Sequence, residues 1–309
     1  MENVEDLIGE SEAMKSMLRE VESVAQTNSS VIITGESGTG KELVARAIHA
    51  NSPRKFFPFV SVHCGALTES LLESELFGHE KGAFTGAMYN RKGRFEMADS
   101  GSIFLDEIAT ISTKMQIELL RVLESKTFMR VGGNKEISSD FRVICATNKD
   151  LKSMVEKGTF REDLFYRLNV VNIHIPPLRD RISDIPLLVD YFIKKYCTSM
   201  NKPSASIDAT ALKRLQEFNY PGNIRELENM IERAIVVGDG KKITLKDLPL
   251  EKTIVNNSTE SLDDFEKTFI LQILNKYNWN ISRTAKALKV DRVTLYNKIK
   301  KYELKPADQ

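Results

Sequence analysis

The sequence predicts an α/β protein, in which a parallel sheet covered by helices on both faces is followed by two smaller all-helical parts. Between 30 and 175, short β-branched or aromatic segments alternate with amphipathic stretches, and this alternation is typical of a parallel sheet. From 185 to 237 the apolar spacing becomes helical, with breaks at Pro203 and Pro221. A polar segment without periodicity then precedes the last helical region. The predicted domains are therefore 1–178, 179–250 and 261–309, with 251–260 as a linker.

Length and composition fit a globular protein of about two domains, since the chain has 309 residues. A hydrophobic content of 41% and a charged content of 28% exclude disordered and collagen-like classes. Apolar runs reach only four residues, whereas a membrane-spanning helix needs roughly 18, so no membrane partner is expected. The net charge of +1 gives no overall sign of nucleic-acid binding, so any such signal must be local.

The N-terminus and the cysteines indicate the compartment. Glu2 and Glu5 stand where an export signal would carry positive charge. Cys64, Cys145 and Cys197 are an odd, widely spaced set without a CxxC motif, which favours a reducing environment. We therefore expect a cytoplasmic protein.

Five segments are predicted as strands of the sheet, at 31–34, 59–62, 103–106, 141–146 and 170–175. After the first strand comes Gly35-Glu36-Ser37-Gly38-Thr39-Gly40-Lys41-Glu42, and a helix is predicted to begin at Leu43. Glycines allow the backbone to turn its N–H groups around phosphate oxygens, while Lys41 and the helix N-terminus supply positive potential. Glu42 replaces the usual Ser or Thr that ligates Mg²⁺, so a glycine-rich turn that binds nothing is the alternative interpretation.

Polar side chains end the third and fourth predicted strands. Asp106 and Glu107 follow a buried apolar strand, and Asn148 follows the next one. Beside a phosphate loop, Asp106 can hold Mg²⁺ through its water shell, and Glu107 can orient and deprotonate the water that attacks a γ-phosphate. Asn148 would report on the γ-phosphate from the neighbouring strand. An exposed acidic turn is the alternative.

These residues resemble the AAA+ ATPases that activate bacterial sigma-54 RNA polymerase, also called enhancer-binding proteins. The segment 35–42 matches the phosphate loop of that family, including Glu42. The hexapeptide Gly82-Ala83-Phe84-Thr85-Gly86-Ala87 is similar to the family's signature loop, which implies contact with sigma-54. The segments 220–227 and 160–168 resemble the second sensor on the helical lid and the segment that bears arginine fingers. The resemblance covers about 7–304 and implies ATP and Mg²⁺ as cofactors and a bacterial protein.

The resemblance also implies roles for three arginines. Arg225 would reach the nucleotide and couple the lid position to the phosphate state. Arg161 and Arg167 would act at the γ-phosphate of a neighbouring subunit, which requires a homo-oligomer, from dimer to hexameric ring. Surface arginines paired with Glu162 and Asp163 are the alternative for the fingers, and a solvated side chain is the alternative for Arg225.

Two further positions carry expectations. The family usually has an asparagine before the cysteine at the end of the second strand, where it holds the catalytic glutamate in check; here that residue is His63, whose charge can vary near neutral pH. Phe84 lies between two glycine hinges, which favours a movable hydrophobic tip. A tight turn packed on its own domain is the alternative for the loop.

The C-terminal end is basic, with a net charge of +6 over 280–306. Helices are predicted at 281–288 and 292–302, with a shared core of Ala285, Leu288, Val290, Leu295 and Ile299. The segment is similar to the Fis-type helix-turn-helix domain, except that Lys289 occupies the common turn glycine. Expected DNA contacts are the bases or nearby phosphates for Arg292, Thr294, Asn297 and Lys298, and the backbone for Arg283, Thr284 and Lys301. A solvated basic hairpin is the alternative.

The combined prediction is an ATP-hydrolysing transcription activator. It would bind double-stranded upstream enhancer DNA, form a ring and remodel sigma-54 RNA polymerase to open promoters. A replication-initiator-like AAA+ ATPase also joins an ATPase to a helix-turn-helix, but does not account for the 82–87 loop. A DNA-binding repressor or scaffold with a relict nucleotide fold is a second alternative, against which the presence of Lys41, Asp106, Glu107 and Arg167 argues.

Overall fold

The computed structural model describes residues 7–238, 242–249, 262–277, 279–288, 290–302 and 304. The chain divides into two compact units, Met1–Pro249 and Leu250–Gln309. The predicted linker at 251–260 and the turn residue Lys289 lie outside the described residues. The predicted domain boundaries therefore stay predictions.

The first unit is a mixed α/β structure. Its helices in the described residues are α1 Glu12–Ala25, α2 Lys41–Ala50, α3 Glu69–Phe77, α4 Arg94–Met97, α5 Thr113–Ser125, α6 Leu151–Glu156, α7 Glu162–Leu168, α8 Ile185–Ser199, α9 Ala209–Gln216 and α10 Asn223–Val237. Its strands are β1 Val31–Thr34, β2 Phe59–His63, β3 Gly78–His79, β4 Arg91–Lys92, β5 Ser102–Asp106, β6 Thr127–Met129, β7 Glu136–Ser138, β8 Arg142–Thr147, β9 Val171–His174, β10 Ser206–Ile207 and β11 Lys242–Ile243.

Five strands form one sheet in the order β2-β5-β8-β1-β9, and every neighbouring pair is parallel. Alternate side chains of β1 enter two different apolar clusters, Ile32 on one face and Val31 and Ile33 on the other. The first cluster includes buried residues of α3, α5 and α7, and the second includes those of α1 and α2. The predicted fold class, a parallel sheet with helices on both faces, is confirmed.

Two local features differ from the sequence prediction. Helix α2 begins at Lys41 rather than at Leu43, because the preceding Gly40 has a φ of 97° and ends the loop. The helix start is therefore set by a left-handed glycine and not by the first apolar residue. Two short antiparallel ribbons, β3 with β4 and β6 with β7, were not predicted from the sequence. Segments of two or three residues are too short to show the alternation of a strand.

The second unit contains three helices in its described residues, α11 Leu262–Lys276, α12 Ile281–Leu288 and α13 Arg292–Lys301. Its core is formed by Ile270, Leu274, Ala285, Leu295, Tyr302 and Leu304, with Leu288, Val290 and Ile299 packed against it. The predicted pair of helices and their shared core are confirmed. Across the described residues, each helix is too short or too polar to span a bilayer.

Candidate nucleotide site and DNA-binding helices

A cleft of about 560 Å³ lies at the edge of the sheet where β1, β5 and β8 end. Because carboxyl ends of parallel strands meet at one edge, residues far apart in the sequence converge there. Lys41, Asp106, Glu107, Asn148 and Arg225 all line the cleft. Apolar side chains also line the cleft, among them Leu7, Ile8, Met17, Ile175, Leu188 and Phe192.

The glycine loop has the backbone that a phosphate site requires. Gly38 and Gly40 adopt φ values of 76° and 97°, and residues with a Cβ rarely adopt such positive values. The Lys41 ammonium donates to the carbonyls of Gly35 and Glu36, each at 2.9 Å. Burial lowers the pKa of Lys41, whereas the nearby Asp106 and Glu107 carboxylates raise it. Lys41, the first residue of α2, is therefore held by the loop near the carboxylates of Asp106 and Glu107.

Asp106 and Glu107 adopt a fixed local geometry at the end of β5. The Glu107 N–H donates to Asp106 Oδ1 at 2.9 Å, and the Thr110 hydroxyl donates to the Glu107 carbonyl at 2.7 Å. Glu107 has a φ of 53°, an uncommon left-handed conformation for a residue with a side chain, of the kind found at functional sites. Its Oε2 lies so close to Gly65 that a Cβ there would be 2.2 Å away. The backbone of Glu107 is thus held in place, and the absence of a Cβ at Gly65 leaves room for its carboxylate.

His63 lies next to this pair of carboxylates. It is aligned with Asp106 in the β2–β5 register, and its Nδ1 is 3.9 Å from Glu107 Oε2. About half of the His63 side chain is exposed. The following residue, Cys64, is buried, and burial raises the pKa of its thiol to about 12, so this cysteine is not a reactive thiolate. The imidazole is therefore close enough to influence Glu107, as the sequence prediction requires.

The residues of the cleft fit ATP with Mg²⁺. The glycine loop and Lys41 suit a triphosphate, and the apolar lining residues suit a base. The guanidinium of Arg181 also lines the cleft, and its buried Nε has no partner among the described residues, so an acceptor on a ligand would relieve the cost of that donor. No group of three or more His, Cys, Asp or Glu within the described ranges is arranged around a metal position. Asp106 would therefore share a Mg²⁺ with water and phosphate oxygens.

Arg161 and Arg167 do not line this cleft. Arg161 forms a bidentate ion pair with Asp163, at 2.6 and 3.0 Å, which is the pairing that the alternative interpretation of this segment named. Arg167 donates to the Leu123 carbonyl at the end of α5 at 2.9 Å. Neither arginine reaches the phosphate loop of its own chain, so action at a γ-phosphate requires a second subunit.

The loop at 82–87 is closed by the β3–β4 ribbon. The Gly82 N–H donates to the Ala87 carbonyl at 2.9 Å, and a Cβ at Gly82 or Gly86 would meet nothing within 4 Å. Phe84 is 43% exposed, and its ring contacts that of His79 at 5.0 Å between centroids. Met88 and Tyr89 are 68% and 77% exposed. The loop thus presents apolar side chains to solvent next to open glycines.

In the second unit, one expected DNA contact is wrong. Thr284 is fully buried, because α12 turns it toward the core of the unit, and it is therefore unavailable to a DNA backbone. Lys298 forms an ion pair with Glu266 of α11, and both side chains are partly exposed, so its expected DNA contact stays a prediction. Thr294 contributes to the start of α13, since its N–H and hydroxyl both donate to Asp291, at 2.7 and 2.6 Å.

The exposed face of α13 includes residues that sequence reasoning missed. Val293 and Tyr296 are 69% and 58% exposed, and Asn297 and Lys300 are also exposed. Positions 293, 296, 297 and 300 follow the spacing of one helix face. The sequence offered one signal for this face. Val293 and Tyr296 are apolar residues of a basic helix, and the core of the unit is formed by other residues of that helix, Leu295 and Ile299.

Comparison with known proteins identifies this architecture. Residues 7–174 match the family described as Sigma-54 interaction domain. The chain belongs to this family. Residues 179–265 match an AAA+ ATPase lid domain, and residues 261–302 match the Fis family of bacterial regulatory proteins. The chain is thus a sigma-54-dependent activator that combines a P-loop AAA+ NTPase, a lid and a Fis-type helix-turn-helix.

Relatives of this sigma-54-dependent activator agree over almost its whole length. It is 46% identical to regulatory protein AtoC of Escherichia coli K12, over 98% of this chain and 68% of that protein. It is 49% identical to transcriptional regulatory protein ZraR of Salmonella typhimurium, over 95% of this chain and 68% of that protein. Solved structures of NtrX from Brucella abortus in complex with ADP and ATP match at TM-scores of 0.77 and 0.76, with 39% and 40% identity. These structures cover 98% and 97% of this chain, which in turn covers 70% and 69% of theirs.

The family match argues against one of the alternative functions. The Sigma-54 interaction domain spans the 82–87 loop, so the replication-initiator-like interpretation is not favoured. The roles of individual site residues of the activator stay predictions, with Thr284 removed from the DNA-contact set.

Proposed function

We propose that this activator hydrolyses ATP in a ring of subunits and uses that reaction to open promoters bound by sigma-54 RNA polymerase. One observation carries the proposal. A single cleft gathers Lys41, Asp106, Glu107 and Arg225, while Arg161 and Arg167 stay outside it on the same chain. Such a site is complete only when another subunit supplies the arginines.

Bound ATP with Mg²⁺ would supply the γ-phosphate at which the reaction occurs. Lys41 and the N–H groups of the glycine loop would bind the phosphates, and Asp106 would hold the metal through water. Glu107 would accept the proton of the attacking water on its side-chain carboxylate. Asn148 contributes an amide at the neighbouring strand end, and Arg225 links the same cleft to the lid helix α10.

His63 restrains Glu107 in this proposal. Its Nδ1 is 3.9 Å from Glu107 Oε2, so a small movement of either side chain makes or breaks a hydrogen bond. A protonated imidazole holds the carboxylate more strongly than a neutral one, because the interaction is then charge-assisted. The restraint therefore depends on pH in a way that an asparagine at this position would not.

The 82–87 loop is the proposed contact for sigma-54. Its exposed Phe84 and open glycines lie outside the phosphate cleft, so contact and hydrolysis are separable. Phe84→Ala or Thr85→Ala should leave substantial ATPase activity but abolish promoter opening. Equal loss of both activities would instead indicate that the loop is structural.

The second unit is the proposed reader of upstream double-stranded DNA. Without the buried Thr284, the proposed contact residues of α13 are Arg292, Val293, Thr294, Tyr296, Asn297, Lys298 and Lys300, flanked by Arg283 and Lys301. The polar members suit base edges and phosphates, and Val293 and Tyr296 suit the methyl groups of thymine in the major groove. Exposure of Val293 and Tyr296 on the second helix of a helix-turn-helix supports the assignment.

The deciding experiment is ATP-dependent opening of a sigma-54 promoter by purified protein and sigma-54 polymerase. We expect opening with ATP and none without it. ATPase activity of the protein alone separates this proposal from a relict scaffold, which would hydrolyse nothing. Hydrolysis without any opening would leave an ATPase and refute the remodelling step.

A further inference from the structure

The side chain of Glu36, which sequence reasoning placed among the nucleotide-binding residues, does not line the nucleotide cleft. Its carboxylate instead accepts two hydrogen bonds from Arg179, at 2.6 and 2.9 Å, in a bidentate ion pair. Arg179 precedes α8, the first helix of the lid. The carboxylate of Glu36 therefore joins the phosphate loop to the lid instead of lining the nucleotide cleft.

Asn223 completes this connection from the other side of the lid. It begins α10, is fully buried and has a φ of 52°. Its Nδ2 donates to Glu36 Oε2 at 3.1 Å and to the Ser37 carbonyl at 3.0 Å, and its Oδ1 accepts from the Leu178 N–H at 2.9 Å. One amide side chain thus bridges the phosphate loop, the segment before the lid and the lid helix.

The backbone of the lid also contacts the loop directly. The N–H groups of Ile224 and Arg225 donate to the Gly38 carbonyl, at 3.0 and 3.3 Å. A Cβ on Gly38 would lie 2.2 Å from the Gly222 carbonyl oxygen. Only a glycine admits this approach, so the left-handed glycine of the loop also serves the lid contact.

The charge of Glu36 is held in the ionised form. Arg179 first and Asn223 second lower the pKa of Glu36 to about 2. Its ordinary value is 4.5, so the carboxylate is ionised throughout the neutral range and the connection does not switch with physiological pH. What can open it is a mechanical movement of the lid.

Both lid helices also line the cleft. Leu188 and Phe192 belong to α8, and Arg225 belongs to α10. A ligand in the cleft would therefore lie against the lid, and movement of these helices away from the loop would help to release it.

We infer that Glu36, Arg179 and Asn223 form a latch between the phosphate loop and the lid, and that this latch limits the rate at which nucleotide leaves. The inference rests on the proposed nucleotide site and adds positioning residues to it. Glu36 and Arg179 act through the lid, not by touching phosphate.

The test measures release of ADP labelled with a fluorescent N-methylanthraniloyl group from the full chain, after mixing with excess unlabelled ADP. Arg179→Glu should speed dissociation about five-fold or more, because it removes a bidentate charged pair and adds a repulsion. Arg179→Lys keeps the charge but not the fork, so a smaller increase is expected. The double variant Glu36→Arg with Arg179→Glu should return the rate toward that of the parent.

The matched control is Arg214→Glu. It makes the same substitution on the lid, but Arg214 pairs with Glu217 at 3.3 Å within the lid itself. Its dissociation rate should equal that of the parent.

A second readout needs no nucleotide. Hydrogen exchange at the Ile224 and Arg225 amides should be faster in Arg179→Glu than in the parent, since their acceptor lies on the phosphate loop. Binding by the parent with unchanged release in Arg179→Glu and Arg179→Lys would overturn the latch alone. Failure of the parent to bind labelled ADP at all would overturn the proposed nucleotide site and the latch with it.

Discussion

The residues of the nucleotide cleft were predicted more accurately from the sequence than those of the DNA-binding helices. In the first unit, Lys41, Asp106, Glu107, Asn148 and Arg225 were predicted from motifs, and all of them line one cleft. In the second unit, Thr284 was predicted to contact the DNA backbone, yet it is buried, and Lys298 was predicted to contact DNA but pairs with Glu266 of its own unit.

The difference teaches where a motif is sufficient. A phosphate loop works through its backbone, and parallel strands deliver their end residues to a common edge, so sequence position determines location. On a short helix, neighbouring residues face the core or the solvent according to what packs against them. In the second unit that neighbour is α11, which carries Glu266.

The strongest test of the cleft concerns the arginines outside it. Arg167→Ala should lower the rate of ATP hydrolysis about 10³-fold or more, as for other arginine fingers. Mixing this variant with Lys41→Ala protein should restore part of the activity, because a mixed interface combines an intact Arg167 with an intact Lys41. No recovery in rings shown to be mixed would mean that Arg167 acts within its own chain.

The next largest effect is expected at Glu107. Glu107→Gln should retain ATP binding and lower hydrolysis about 10²- to 10⁴-fold, since the amide keeps the shape of the side chain but cannot accept the proton. Binding of labelled nucleotide and phosphate release are the two measurements. An unchanged turnover would remove Glu107 from its proposed role and weaken the claim that this cleft is well predicted by motifs.

The DNA-binding helices are tested by a pair of substitutions. Asn297→Ala should weaken binding to the preferred site by about 1–3 kcal/mol if it reads a base. Thr284→Val should leave DNA affinity unchanged, and it should keep or raise the free energy of unfolding, by up to about 1 kcal/mol, because it removes a buried hydroxyl without a partner in the described residues. Affinity measured at one salt concentration and chemical unfolding are the assays. A loss of affinity in Thr284→Val with unchanged stability would reverse the correction made by the structure.

The smallest expected effect concerns His63. A protonated imidazole would hold Glu107 more strongly than a neutral one, so the ATPase rate should be lower in acid than in alkaline solution. His63→Asn should flatten that dependence and leave the rate at pH 8 within a few-fold of the parent. Identical pH profiles for the two proteins would exclude His63 from the switch.

The sequence by itself determined the fold class, the phosphate loop, the polar strand ends and the pair of C-terminal helices. The reason is that strand alternation, glycine content and helical spacing are local properties of the chain. The family resemblance also implied that Arg161 and Arg167 act at the site of a second subunit, and this stays a prediction.

Only the tertiary structure decided which partner each side chain meets. Glu36 lies in a phosphate-loop motif, but its carboxylate pairs with Arg179 and accepts from Asn223, which are remote in the sequence. Lys298 lies in a basic helix, but its ammonium pairs with Glu266 of another helix. A side chain is directed by the charges and surfaces that folding brings within a few ångströms of it, and no local pattern contains that information.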